Sequence, residues 1–151
     1  MGCILKGGGG LYSRVAVGAV LPGAQGQRSA AVVLGAPVPV QALPGFEVGE
    51  VSVQDAGAQL AAPLLDVQDG MRVLDACAAP GGKTCHILEL ADAHVTALDA
   101  DAKRLARVGE NLERLQLKAT LRTADAQSAA VGRREPDVVT PLDVEHVRAV
   151  G

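Results

Sequence analysis

The chain has 151 residues, the size of one ordinary domain, and a formal net charge of −3 at pH 7. Apolar residues make up 48% of it, yet Tyr12 and Phe46 are its only aromatic side chains, so any core is built from small aliphatic residues. This composition argues against a strong sequence-independent grip on phosphate backbones and against base-stacking platforms.

The three cysteines, Cys3, Cys77 and Cys85, form no C-x-x-C pair. We therefore predict a reducing, cytoplasmic location, with no disulfide framework and no zinc site. No apolar run approaches the roughly 18 residues of a membrane span, so no membrane association is expected. A signal peptide and N-terminal lipidation are not predicted either, because the apolar stretch before residue 22 is short and Lys6 stands where myristoylation needs Ser or Thr.

Residues 1–35 are predicted to be a disordered or aberrant lead-in. The run Gly7–Gly10 is followed by a stretch rich in Gly, Ala, Ser and Gln. For a segment of such composition, the conformational entropy lost on ordering exceeds what burial regains.

The next expected element is a helix over 56–65, capped by Ser52 or Asp55 and weakened by the interior Pro63.

Beyond residue 70, short apolar runs alternate with helical segments. The long helix carries one apolar stripe, at spacings of three and four residues, and Asp101 is placed to cap it. Such alternation predicts parallel βαβ units, and so an α/β fold with a partial Rossmann-like, doubly wound parallel sheet. The predicted strands are 72–77, 94–99 and 118–123, the helices 84–90 and 102–115, and the stripe Leu105, Val108, Leu112 and Leu115.

After Asp125 the pattern weakens, with one strand expected within 136–141 and a short helix over 144–150. Residues 128–151 are therefore predicted to be a divergent tail.

The loop 76–83 is the strongest candidate for a ligand site. In an open parallel sheet, ligands bind beyond the carboxyl ends of the strands, beside the first strand-to-helix turn. Asp99, at the end of the next strand, lies where the ribose of an adenosine cofactor is held, and Asp125 could accept from an adenine amino group. A P-loop needs glycine where Cys77 stands, and the loop lacks the G-x-G-x-x-G pattern, which leaves S-adenosylmethionine.

The stretch QDAGAQLAAPLLDVQDGMRVLDACAAPGGKTCHILEL resembles the cofactor-binding part of the RsmB/NOP family of S-adenosylmethionine-dependent RNA cytosine-5 methyltransferases. It is most similar to the bacterial enzymes that methylate small-subunit ribosomal RNA. The string D-A-C-A-A-P-G-G-K-T is characteristic of that family, and the resemblance covers about residues 36–127. We therefore expect a methyltransferase core there, with ribosomal RNA as the partner, S-adenosylmethionine as the cofactor and no metal.

The resemblance also implies roles for single residues. Asp99 would hold the ribose and Asp125 would lie near the adenine. The residues that would contact the cofactor from the loop are Cys77, Ala78, Ala79, Pro80, Gly81, Gly82 and Lys83.

Two strings of the family are missing from this chain, namely Asp-Ala-Pro-Cys and the later Thr-Cys-Ser that carries the attacking cysteine. The chain therefore resembles a fragment, or an aberrant reading frame, around a cofactor-binding half-domain, and no catalytic residue is assigned. The alternative function is a vestigial, non-catalytic module that binds S-adenosylmethionine.

Simpler explanations exist for each of these features. The loop could be an ordinary glycine-rich turn, Asp99 and Asp125 plain strand-end carboxylates, and Lys83 a solvated side chain. Cys85 is most simply a buried thiol. The basic residues between 104 and 122 are expected to form a solvated face, because acidic residues interrupt them; they are Arg104, Arg107, Arg114, Lys118 and Arg122.

Overall fold

The computed structural model describes residues 2–5, 17–21, 31–34, 36–55, 57–126 and 138–140. Contacts divide the described chain into two units. The first runs through Leu60 and includes Arg114–Gln116, and the second comprises Ala61–Glu113 and the residues from Leu117 onward. Residues 36–60, predicted as part of the methyltransferase core, thus group with the first unit.

The first unit contains an antiparallel sheet where the sequence predicted a disordered lead-in. Its strands are β1 (Gly2–Leu5), β2 (Val17–Leu21), β3 (Ala31–Leu34) and β4 (Val51–Gln54), in the order β2-β3-β1-β4. Three of these strands fall within residues 1–35, and the other residues of that stretch lie outside the described ones. The difference arises because each strand is a short aliphatic run, and ladder hydrogen bonds formed with distant partners offset the entropy cost of ordering it.

Arg114 belongs to the first unit, and its side chain makes hydrogen bonds within that unit. The sequence analysis had instead predicted a solvated side chain. A 3₁₀ turn, Val40–Ala42, precedes a small cluster around Leu43 and Val51. The Arg114 guanidinium donates to the carbonyl oxygens of Phe46, at 2.6 Å, and of Val51, at 2.9 Å. It also lies 4.0 Å from the centroid of the Phe46 ring. A charge pattern does not reveal carbonyl acceptors brought close by folding.

The helix predicted over 56–65 is shorter than expected. A 3₁₀ turn, Ala58–Leu60, leads into α1 (Ala61–Leu64). Pro63 accounts for the short helix, because it lacks the N–H needed for an interior hydrogen bond. Of the two predicted caps, Asp55 accepts a hydrogen bond from the Gly57 N–H at 2.9 Å, whereas Ser52 lies in β4.

The second unit contains the predicted parallel sheet. Its strands are β5 (Arg72–Asp75), β6 (His94–Asp99), β7 (Thr120–Thr123) and β8 (Val138–Thr140), in the order β7-β6-β5-β8. Every pair is parallel, with Asp75 opposite Ala97 and Asp99 opposite Thr123. The three predicted strands and the further strand within 136–141 are confirmed.

Two helices accompany this sheet, α2 (Gly82–Leu90) and α3 (Ala102–Arg114). The predicted cap is confirmed, since the Asp101 Oδ1 accepts from the N–H groups of Lys103 at 2.7 Å and Arg104 at 3.2 Å. The stripe predicted for the helix is buried as well. The helix predicted over 144–150 lies outside the described residues. No described helix has the length and apolar character needed to cross a membrane.

The core of the second unit is built from small aliphatic side chains, as the composition predicted. Val73 of β5, Val95 of β6 and Ile87 of α2 form its centre, and Ala62 of α1 packs against them. Because few large side chains are available, the alanines and valines of the sheet and helices must pack closely against one another to fill the core.

His86 of α2 is expected to make the fold sensitive to acid. Its side chain is buried, and its Nδ1 has no hydrogen-bond partner among the described residues. Burial lowers the pKa of His86 below the ordinary value of 6.5. At a pH between the lowered pKa of the folded protein and 6.5, the unfolded chain binds a proton at His86 that the folded chain does not. The free energy of unfolding therefore falls as the pH drops below about 6.5, by at most about 1.4 kcal/mol for each pH unit.

Urea unfolding of the protein and of His86→Gln near pH 7.5 and near pH 5.5 measures this effect. The variant should lose less stability than the parent protein on acidification. His94→Gln, which makes the same replacement at an exposed position, is the matched control. Equal losses in the parent protein and in His86→Gln would contradict the assignment.

Candidate functional site

The site follows from the order of the parallel strands. β5 lies between β6 on one side and β8 on the other, so the direction of strand succession reverses at β5. In open parallel sheets the crevice beyond the carboxyl ends of the strands, at this reversal, is where ligands bind. The loop Ala76–Gly81 leaves β5 at that place and leads directly into α2.

Backbone groups fasten this loop to the end of β6. The Ala78 N–H donates to the Leu98 carbonyl oxygen at 2.9 Å, and the Ala79 N–H donates to the Asp99 Oδ2 at 3.3 Å. Within the loop, the Gly81 N–H donates to the Ala78 carbonyl oxygen at 2.6 Å. The loop is thus in direct contact with Asp99 through Ala79.

A buried side-chain hydrogen bond joins the two ends of the loop. The Thr84 hydroxyl donates to the Asp75 Oδ2 at 2.6 Å, and both residues are 0% exposed. It ties the end of β5 to the first turn of α2. The sequence analysis gave these two residues no role, although they are the first and last residues of the characteristic string D-A-C-A-A-P-G-G-K-T.

Helix α3 supports the loop from another side. The Asn111 Nδ2 donates to the Pro80 carbonyl oxygen at 2.9 Å. Gly81 has a φ of 101°, and a Cβ there would lie 3.2 Å from the Cα and Cγ1 of Val108. Glycine is therefore needed at position 81 both for its backbone conformation and for this close approach. Neither helix contact was predicted from the sequence.

Asp99 is the charged centre of this arrangement. It is 2% exposed, and its Oδ1 accepts from the Asp101 N–H at 3.0 Å, while its Oδ2 accepts from Ala79. The guanidinium of Arg104, whose side chain is 54% exposed, lies 3.7 Å from the Oδ2. A carboxylate has about four acceptor positions, so further hydrogen bonds to Asp99 are chemically available.

The remaining predicted residues differ in exposure. Cys77 and Pro80 are exposed, and Lys83 is half-buried in the first turn of α2. Asp125 is exposed just after β7, next to Ala124, whose N–H donates to the Asp99 carbonyl oxygen at 3.1 Å. Asp125 is thus at the same edge of the sheet, one strand further from β5.

Cysteine and histidine side chains form no second centre in the part of the chain that the structure describes. Cys85 is 3% exposed, as expected for a structural thiol. No group of three or more metal-ligating side chains occurs among these described residues.

The chemistry of the site is that of hydrogen-bond donors beside a carboxylate. The first intrahelical bond of α2 runs from the Cys85 N–H to the Gly81 carbonyl oxygen at 2.9 Å, so the N–H groups before Cys85 have no acceptor within the helix. A helix N-terminus attracts negative charge, and Asp99 attracts hydroxyl donors. Together with the parallel strand order, this loop defines a partial Rossmann-like α/β protein.

The chain belongs to the 16S rRNA methyltransferase RsmB/F family, whose model matches residues 62–139, just over half of its length. That match extends beyond residue 127, the predicted limit of the core, and reaches into β8. Ribosomal RNA small subunit methyltransferase B of Pseudomonas syringae is 58% identical over 101 residues, which cover 66% of this chain and 22% of the relative. The same-named protein of Yersinia pseudotuberculosis is 59% identical over 99 residues, covering 65% and 23%.

Solved structures agree with this assignment. The crystal structure of PH0851 superposes with a TM-score of 0.68 at 28% identity, covering 80% of this chain and 28% of that one. NSun6 from Pyrococcus horikoshii, crystallised with SFG, superposes with a TM-score of 0.55 at 32% identity, covering 63% and 27%. The predicted methyltransferase family and the partial Rossmann-like fold are thus confirmed.

Gly81→Ala should destabilise the protein. A side chain at φ 101° is strained, and its Cβ would press on the backbone of Val108. We expect the free energy of unfolding to fall by about 1–3 kcal/mol, measured by urea denaturation. Gly109→Ala is the matched control: its Cβ would meet only the end of the Leu121 side chain at 3.4 Å, and alanine favours a helix interior. Equal effects of the two substitutions would contradict the assignment for Gly81.

Proposed function

We propose that this chain provides the S-adenosylmethionine-binding part of an RNA cytosine-5 methyltransferase that acts on small-subunit ribosomal RNA. The observation that carries the proposal is the loop Ala76–Gly81, fastened to Asp99 at the point where the strand order reverses. The chain spans only 22% and 23% of the two relatives described above. The proposal therefore concerns the cofactor-binding part of such an enzyme.

The start of α2 suits the amino-acid end of the cofactor. S-Adenosylmethionine carries a carboxylate, and the N–H groups of Gly82 and Lys83 precede the first intrahelical hydrogen bond. The half-buried Lys83 adds a positive charge on the same turn. Both features favour a carboxylate, so we assign this turn to the methionine end of the ligand.

Asp99 suits the ribose. A vicinal diol offers two O–H donors, and a carboxylate accepts both. Two acceptor positions of Asp99 are taken by the N–H groups of Ala79 and Asp101, which leaves about two for the diol. With Asp99 only 2% exposed, a ligand gains access by displacing its neighbours, of which the exposed Arg104 is the most easily moved.

Asp125 is assigned to the adenine. Its exposed carboxylate follows β7 at the same edge of the sheet as Asp99, and an adenine amino group is a donor that a carboxylate accepts. The three assigned positions follow neighbouring strands of the sheet: the start of α2 follows β5, Asp99 ends β6 and Asp125 follows β7.

When bound, S-adenosylmethionine supplies an electrophilic methyl group. Cytosine C5 becomes reactive only after a thiolate adds to C6, so the enzyme also needs a cysteine at the base. Cys85 is 3% exposed, and Cys77 lies in the loop assigned to the cofactor. Because the family's Thr-Cys-Ser string is also absent, we assign no catalytic residue to these 151 residues.

A non-catalytic module that binds the cofactor is the second candidate, and it requires the same site. The ribosomal RNA substrate is proposed from the family, and the cytoplasmic location stays a prediction from the cysteine content. Binding and transfer are therefore tested separately.

Binding is tested by calorimetry with S-adenosylhomocysteine, which should bind to the chain. Asp99→Ala should weaken it roughly 10- to 100-fold, the range expected for hydrogen bonds to a charged group. Asp99→Asn, which keeps one oxygen acceptor, should have an intermediate effect. The control is Asp92→Ala, at an exposed position outside the site. Unchanged affinity in folded Asp99→Ala would contradict the ribose assignment, and no binding to the parent chain would contradict the proposed function.

Transfer is tested with tritium-labelled S-adenosylmethionine and unmodified small-subunit RNA. We expect no label at cytosine C5 from this chain alone, because losing the nucleophile of a covalent mechanism costs several orders of magnitude in rate. A full-length relative assayed in parallel verifies the RNA and the cofactor. Label that disappears in Cys77→Ser or Cys85→Ser would show that the chain does contain a nucleophile.

A further inference from the structure

We propose that Asn111 is a positioning residue for the cofactor loop, holding the peptide between Pro80 and Gly81 in the orientation that receives the ligand. This inference rests on the proposed function. It starts from the hydrogen bond of 2.9 Å that the Asn111 Nδ2 donates to the Pro80 carbonyl oxygen. Asn111 and Pro80 are 31 positions apart in the sequence, so the loop is fixed by a helix that follows it in the chain.

The orientation of one peptide plane depends on this bond. The Pro80 carbonyl and the Gly81 N–H belong to the same planar peptide unit. Asn111 binds the carbonyl end of that unit, and the Ala78 carbonyl accepts from its N–H end at 2.6 Å. The next residues, Gly82 and Lys83, are those whose N–H groups we assign to the methionine carboxylate. Rotation of this peptide plane would change the direction in which the first turn of α2 begins.

Pro80 is the part of the loop that most needs such support. It is exposed, and as a proline it has no N–H with which to fasten itself to the sheet. On one side Ala79 is bound to Asp99, and on the other Gly81 approaches Val108 closely. Without Asn111, the carbonyl between these two fixed points would exchange its partner for water.

The effect is expected on ligand affinity more than on folding. Helix α3 is held by its Asp101 cap and by buried Leu105, Val108 and Leu112, none of which involves Asn111. A loop that occupies its binding conformation only part of the time lowers the apparent affinity in proportion. The net value of one hydrogen bond corresponds to a decrease of about 2- to 10-fold.

Asn111→Leu separates the two effects. Leucine has a similar size, carries no charge, lacks the donor and favours a helix more strongly than asparagine. Asn111→Gln keeps the amide donor on a longer side chain. Glu110→Leu introduces leucine at the neighbouring exposed position of α3 and is the control for a change on the same helix. Each variant of the 151-residue chain is measured for thermal unfolding without ligand and for S-adenosylhomocysteine affinity by calorimetry.

We expect Asn111→Leu to unfold at or above the temperature of the parent chain while binding about 2- to 10-fold more weakly. Asn111→Gln should recover most of the affinity, and Glu110→Leu should bind as the parent chain does. Equal affinity of the parent chain and Asn111→Leu would overturn the inference, as would equal weakening by Asn111→Leu and Asn111→Gln. Failure of the parent chain itself to bind would instead contradict the proposed function.

Discussion

The arrangement of the second unit depends on one buried carboxylate. Asp99 is 2% exposed, and a carboxylate removed from water must be compensated by donors. The N–H groups of Ala79 and Asp101 provide them, one from the loop before α2 and one from the turn before α3. A single charge thereby fixes the starting points of both helices relative to the end of β6. The ligand chemistry proposed for Asp99 uses a group that the fold already requires.

Around this carboxylate, the loop is fastened at both ends and in the middle. The buried Thr84–Asp75 hydrogen bond closes its ends, and helix α3 supports its middle through Asn111 and Val108. Such fastening reduces the entropy that a ligand would otherwise have to remove on binding. It also explains why a stretch without large side chains holds a defined shape.

Local patterns in the sequence were sufficient for the parallel sheet and its helices. Alternating apolar runs predicted β5, β6 and β7, and the Asp101 cap and leucine stripe predicted α3. The antiparallel sheet of the first unit was not predicted, because β1 pairs with β4 across about fifty residues of glycine-rich sequence and no local signal encodes that pairing. The hydrogen bonds of Asn111 and Thr84 were not predicted, for a related reason. Their partners, Pro80 and Asp75, become neighbours only after the chain has folded.

The string that identified the family combines two kinds of constraint. Ala78 and Gly81 are buried, so their small size is required by packing, and only their backbone groups could face a ligand. Cys77 and Pro80 are exposed, and Lys83 is half-buried, so these side chains are not fixed by the core. Within one recognisable motif, the buried positions therefore account for the shape of the loop, and the accessible ones are those where a cofactor could impose its own requirements.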